Sequence, residues 1–133
     1  MQIPINWLAV LVVSLYGLII PAIWYAPKVF GETWISLSGL TPEQAGGDWR
    51  PIAAAALSSV VTCWGLAGFL FYLRSQTFME GMLAGAQFWL AFTFAQILVD
   101  YRFAHRPWKL VFINTGHSIL SMSLAAGTLA VWK

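Results

Sequence analysis

Four stretches of this chain carry no Asp, Glu, Lys or Arg: residues 1–27, 51–73, 81–99 and 110–132. The charges crowd into the gaps. Lys28, Glu32, Glu43, Asp48 and Arg50 fill the first, Arg74 and Glu80 the second, and Asp100, Arg102, Arg106 and Lys109 the third, with Lys133 at the end. A helix needs about 20 mostly apolar residues to cross about 30 Å of hydrocarbon, and the shortest stretch, 81–99, comes close to that. No water is present at that depth to satisfy backbone amides, so each stretch must be helical. The expectation is an all-α membrane protein: one domain over residues 1–133, with transmembrane helices near 5–26, 51–73, 81–99 and 110–132 in one bundle.

Composition closes the other classes. Hydrophobic residues make up 59% of the 133 and charged residues 9%. So few charges cannot cover the surface of a small soluble domain, and disorder needs the opposite balance. A net charge of +2 provides no basic face, which argues against nucleic acid as a partner. One cysteine permits neither an internal disulfide nor a cysteine-based metal site. A membrane barrel would need alternating polarity, and Leu8-Ala9-Val10-Leu11-Val12-Val13 has none. The first apolar run has no basic residue before it and ends in Ile23-Trp24-Tyr25, a poor cleavage site, so helix 1 is expected to stay in the mature protein.

Tryptophan and proline mark the helix ends. Trp7, Trp24, Trp49, Trp108 and Trp132 fall at the expected headgroup level, while Trp64 and Trp89 lie inside helices and call for packing. Pro27 ends helix 1, Pro51 begins helix 2, and Pro107 precedes helix 4. Pro21 is expected to kink helix 1. Four helices put both termini on one side, with Arg74 and Lys133. Lys28, Arg50, Arg102, Arg106 and Lys109 lie on the other. The positive-inside bias then places loops 27–50 and 100–109 in the cytoplasm and both termini outside. Within the long first loop, Thr41-Pro42-Glu43 has the form of a helix start. Residues 30–40 are too apolar for free solution; they lie either along the membrane surface or folded over the bundle end.

Several local patterns resemble one family. They are Asn6-Trp7-Leu8-Ala9-Val10; Trp24-Tyr25-Ala26-Pro27 with Phe30-Gly31 and Trp34; Asp100-Tyr101-Arg102 with Arg106-Pro107; and Asn114 with His117. Together they look like the domain-of-unknown-function 1761 family of small bacterial inner-membrane proteins, over essentially the whole chain. The most specific part is Trp24, Tyr25, Pro27, Phe30, Gly31 and Trp34. The resemblance implies a four-helix protein of the bacterial inner (cytoplasmic) membrane and assigns no activity.

Polar groups within the spans are the best pointers to function. Helix 4 carries Asn114, His117, Ser121, Ala125 and Thr128 on one stripe, and helix 3 carries Thr93, Gln96 and Asp100 at the same spacing. Topology brings Gln96, Asp100, Asn114 and His117 to the cytoplasmic end, ringed by Tyr25, Lys28, Arg102 and Arg106. Such a cluster either bonds the helices together or holds a ligand, ion or proton. Arg102, Arg106 and Lys109 are either topology determinants or contacts for anionic lipid headgroups.

Gln87 falls nine residues before Gln96, on the opposite face of an ideal helix 3. Facing lipid, its amide would go unsatisfied at a cost of several kcal/mol. That points to a homo-oligomer, and Gly81-x-x-x-Gly85 offers a close-approach surface, assigned to that interface, with contact inside one protomer as the alternative. No catalytic, phosphate-binding or metal-binding motif is present. The expectation is a non-enzymatic, cofactor-free membrane protein with a structural, partner-binding or lipid-binding role, its contacts being the bilayer and copies of itself. A channel or carrier using the neutral stripe of helix 4 is the alternative, and a membrane enzyme comes third.

Overall fold

A computed structural model describes residues 3–133. The first span comprises α1 (Trp7–Ser14) and α2 (Tyr16–Trp24). A π-helical turn, Pro27–Gly31, leads into α3 (Glu32–Ser38) and the short α4 (Pro42–Ala45). The second span is α5 (Arg50–Leu73). The third runs unbroken from Phe78 to Phe103 as α6 (Phe78–Phe88), a π-helical stretch (Trp89–Phe94) and α7 (Ala95–Phe103). The fourth is α8 (Trp108–Val131). No strand occurs among the described residues. All four spans are long and apolar enough to cross a membrane, and large apolar side chains such as Leu57 and Phe92, each 67% exposed, cover their outer faces.

Local chemistry sets the helix ends. The Asn6 side chain accepts from the Ala9 N–H at 3.0 Å and starts α1. Thr41 and Gln44 form a reciprocal capping box that starts α4 where the Thr-Pro-Glu pattern predicts a helix. Thr77 and Glu80 form a second box, which starts the third span at Phe78, three residues before the expected 81. The span continues to Phe103, so Asp100 and Arg102 occupy its last turns.

The helical ladder of the first span is interrupted at Leu15. Pro21 lies inside α2. The Leu18 N–H bonds to Leu15 O instead of Ser14 O, and the Ser59 hydroxyl of α5 donates to the freed Ser14 carbonyl at 2.6 Å. Gly17 makes this approach possible, because a Cβ there would collide with Ser59. A neighbouring helix thus satisfies the interrupted ladder, as hydrocarbon requires.

α8 is the hub. It packs against α1, α2 and α5 on one side and along α6 on the other, whereas α5 and α6 barely meet. The apolar core is built from Ala9, Val10 and Val13 of α1, Cys63, Leu66 and Leu70 of α5, Ala84 of α6, and Ala125, Ala126, Leu129 and Ala130 of α8. It fills the half of the bundle nearer the termini.

The α6–α8 seam corrects the expected role of Gly81 and Gly85, which lie buried within one protomer rather than on an outer face. A Cβ at Gly81 would stand 2.5 Å from the Ala126 carbonyl oxygen, and one at Gly85 2.7 Å from that of Met122. Backbone meets backbone here, so neither neighbour can yield cheaply. Gly81→Val and Gly85→Val are each expected to cost about 1–3 kcal/mol. Gly65→Ala, with nothing within 4 Å of the new methyl, should cost nothing. Reversible unfolding in mixed micelles, followed by circular dichroism, checks both.

Candidate functional site

The aromatic run after the first span builds the end of the bundle opposite the termini. Gly31 closes a tight turn, its N–H bonding to Ala26 O at 3.1 Å. A side chain there would run into the Tyr25 carbonyl. The turn folds Phe30 back onto Trp24, with ring centroids 4.6 Å apart, and brings Trp34 edge-on to Tyr25 at 5.4 Å. Trp24 lies against Gly116 of α8, and its indole N–H donates to Ile113 O at 2.9 Å. Of the two readings of residues 30–40, the Trp34 contact and the packing of α3 on α8 fit the fold over the bundle end.

Tyr25 is thereby aimed at α8. Its hydroxyl donates to Asn114 Oδ1 at 2.8 Å, and Asn114 Nδ2 donates to the Tyr101 hydroxyl at 2.7 Å. One amide, with an acceptor and a donor end, ties α8 to the end of the first span and to α7. The His117 ring packs edge-on to Tyr25 at 5.3 Å, and its Nδ1 is buried with no hydrogen-bond partner among the described residues. One turn deeper, the Trp89 indole N–H donates to Ser118 Oγ at 2.7 Å, and that hydroxyl donates to Thr115 O.

The structure joins Tyr25, Asn114 and His117 and leaves other expected members outside. Gln96, Asp100 and Lys28 are exposed. The physical reason for the first two is the π-helical stretch. A turn closed i→i+5 advances each residue by less than the roughly 100° of an α-helix, so the faces beyond Phe94 are rotated from the extrapolated stripe. Tyr101, which was part of the family-like pattern but had no expected role, takes the inward position. The antiparallel return through residues 104–107 was the available signal, but without the register shift it pointed to Asp100. Arg102 folds back, its guanidinium 4.7 Å from the Trp108 ring centre and donating to Arg106 O at 3.0 Å. Arg106 and Asp100 flank a cavity of about 370 Å³ that reaches Tyr101. Lys109 is exposed in the first turn of α8.

These features define a multi-pass, four-helix membrane protein with a neutral polar clamp at one end of the bundle. The chain belongs to the family described as protein of unknown function (DUF1761), whose profile matches residues 8–130. No curated protein and no solved structure matches it.

The clamp is expected to act mainly in stability. Tyr25→Phe and Tyr101→Phe should each cost about 0.6–1.7 kcal/mol, and Asn114→Leu, which removes both bonds, should cost more than either. Gln96→Leu should cost nothing. Equilibrium unfolding of the five proteins, wild type included, in mixed micelles separates these cases.

Proposed function

We propose that the protein is a non-enzymatic structural component of the membrane, working as a homo-oligomer assembled through the outer face of its third span. The observation that carries this reading is Gln87. It is exposed on α6 while Gly85, two residues before it, is buried in the seam with α8. Two residues turn a helix by about 200°, so Gln87 points away from the bundle. It lies seven residues beyond Glu80, the last ionised group before the apolar stretch, or about 10 Å deep, beyond the reach of its short side chain to the headgroups. An amide offers both a donor and an acceptor, so two copies of Gln87 related by a two-fold axis satisfy each other. The third span packs almost entirely on α8, which leaves this face free for a second copy.

Use of the polar cluster within the fold also favours a structural role over catalysis. Both ends of the Asn114 amide are engaged. The same economy lends little support to permeation along helix 4. Thr115, Ser121 and Thr128 return their hydroxyls to carbonyls of their own helix, at Val111, His117 and Leu124.

The oligomer is tested by native mass spectrometry in mild detergent. Wild type should run as a dimer or larger, and Gln87→Leu should remain folded while its dissociation constant rises on the order of tenfold. A wild type that is purely monomeric removes the proposal.

The family resemblance supports a place in the bacterial inner membrane, and the distribution of basic residues supports an orientation with loops 27–50 and 100–109 in the cytoplasm and both termini outside. Cys63 is buried, so a Cys63→Ala background accepts single reporters. An impermeant maleimide added to intact spheroplasts should label Gln76→Cys, and Gly47→Cys only after lysis. The reverse pattern inverts the orientation.

A further inference from the structure

At the end of the bundle that carries the termini, the N-terminal segment, α5 and α8 line a half-open cavity of about 560 Å³. This is the size of a small-ligand site. It lies apart from the Asn114 clamp and from the Gln87 face, since no residue of α6 lines it. Ala67, Leu70 and Leu129 form its apolar floor, with Leu70 2% and Leu129 5% exposed, and Arg74 and Lys133 stand among its lining residues.

Depth orders these groups. Leu70 and Ala67 precede Arg74 by four and seven residues on α5, and Leu129 precedes Lys133 by four. At 1.5 Å per residue the floor lies about 6–10 Å below the cations, on the hydrocarbon side. The cations are also available. Lys133 Nζ donates to Ser75 O at 2.7 Å, which fixes the ammonium at the end of α5 and leaves further N–H donors unused. Glu80 is a nearby carboxylate that feels the charge of Lys133, and its hydrogen bonds go to the backbone N–H groups of Gln76 and Thr77 at 2.8 and 3.2 Å.

We propose that this cavity binds an anionic amphiphile, with the phosphate of a membrane lipid at Arg74 and Lys133 and the first methylenes of its acyl chain against Ala67, Leu70 and Leu129. Two cations above a buried apolar floor match the order of charge and hydrocarbon in such a lipid. A free inorganic anion would use the rim alone and leave the floor empty. This site is separate from the arginines of loop 100–109, which lie at the opposite end of the bundle.

Native mass spectrometry of the full chain tests the site, with phosphatidylglycerol, phosphatidylcholine of the same acyl chains, and inorganic phosphate as probes. Wild type should retain phosphatidylglycerol about tenfold better than phosphatidylcholine. The variant Arg74→Gln/Lys133→Gln should lose that preference, and Arg102→Gln/Arg106→Gln should keep it. Ala67→Phe, which fills the floor and leaves both cations in place, should weaken retention of phosphatidylglycerol as well. Millimolar phosphate should not displace the lipid. The proposal is overturned if wild type shows no preference, if the preference survives loss of Arg74 and Lys133, or if it vanishes with the loop arginines instead. Displacement by phosphate alone would identify a free-anion site and overturn the lipid assignment.

Discussion

The seam between α6 and α8 is the contact on which the rest of the bundle depends. Hydrocarbon gives no hydrophobic drive for one apolar helix to bind another, so cohesion comes from close van der Waals approach and hydrogen bonds. Gly81 and Gly85 let the backbone of α6 come against the carbonyls of Ala126 and Met122. The third span has almost no other partner within the protomer. Without this seam, α8 would lose the neighbour that presents Trp89 to Ser118 and Tyr101 to Asn114.

The remaining helices are joined by a second device, the satisfaction of polar groups that lipid would leave bare. Ser59 takes the carbonyl released at Ser14, and Trp24 takes a second bond to Ile113 O. Asn114 uses both ends of its amide on two tyrosines from different spans. Each bond is worth only about 0.6–1.7 kcal/mol in a membrane. Their value lies equally in register, because each one is made only when two helices stand at one rotation and one height. Small residues decide how close the helices come, and polar residues decide how they are turned. The two ends of the molecule divide this work, with glycine and alanine packing toward the termini and aromatic and amide groups at the other end.

Charge placement made the four spans legible, since ionised groups are excluded from hydrocarbon whatever the packing. The helix start at Thr41 and the end of the first span before Pro27 were legible for a similar reason, each resting on residues a few positions apart. What failed to show depended on contacts between distant segments. The ladder breaks at Leu15, where Ser59 of another helix can reach it, and the residues around Leu15 do not name that partner. Gly81 and Gly85 advertise a close approach without naming the partner, and the partner is α8 of the same chain. Gln96 and Asp100 were placed by a uniform 100° per residue, which the π-helical stretch at Trp89–Phe94 violates. Nothing local in Trp-Leu-Ala-Phe-Thr-Phe announces that stretch. It brings the Trp89 indole to Ser118 and the Tyr101 hydroxyl to Asn114, and both partners lie on α8.

The same division bears on how copies of this protein could share a membrane. The proposed self-association through Gln87 would use the side of α6 turned away from α8, whereas the cationic cavity is walled by α5, α8 and the N-terminal segment. A dimer built on the third span therefore leaves both cavities open to lipid, one on each protomer. Apolar side chains alone would leave the rotation of one protomer against the other loosely defined, because Leu83, Leu90 and Phe92 pack as readily on acyl chains as on protein. A buried amide pair removes that freedom, since it is satisfied at one registration and unsatisfied at the rest. Gln87 would then serve between protomers the purpose that Asn114 serves within one, fixing rotation where apolar contact cannot.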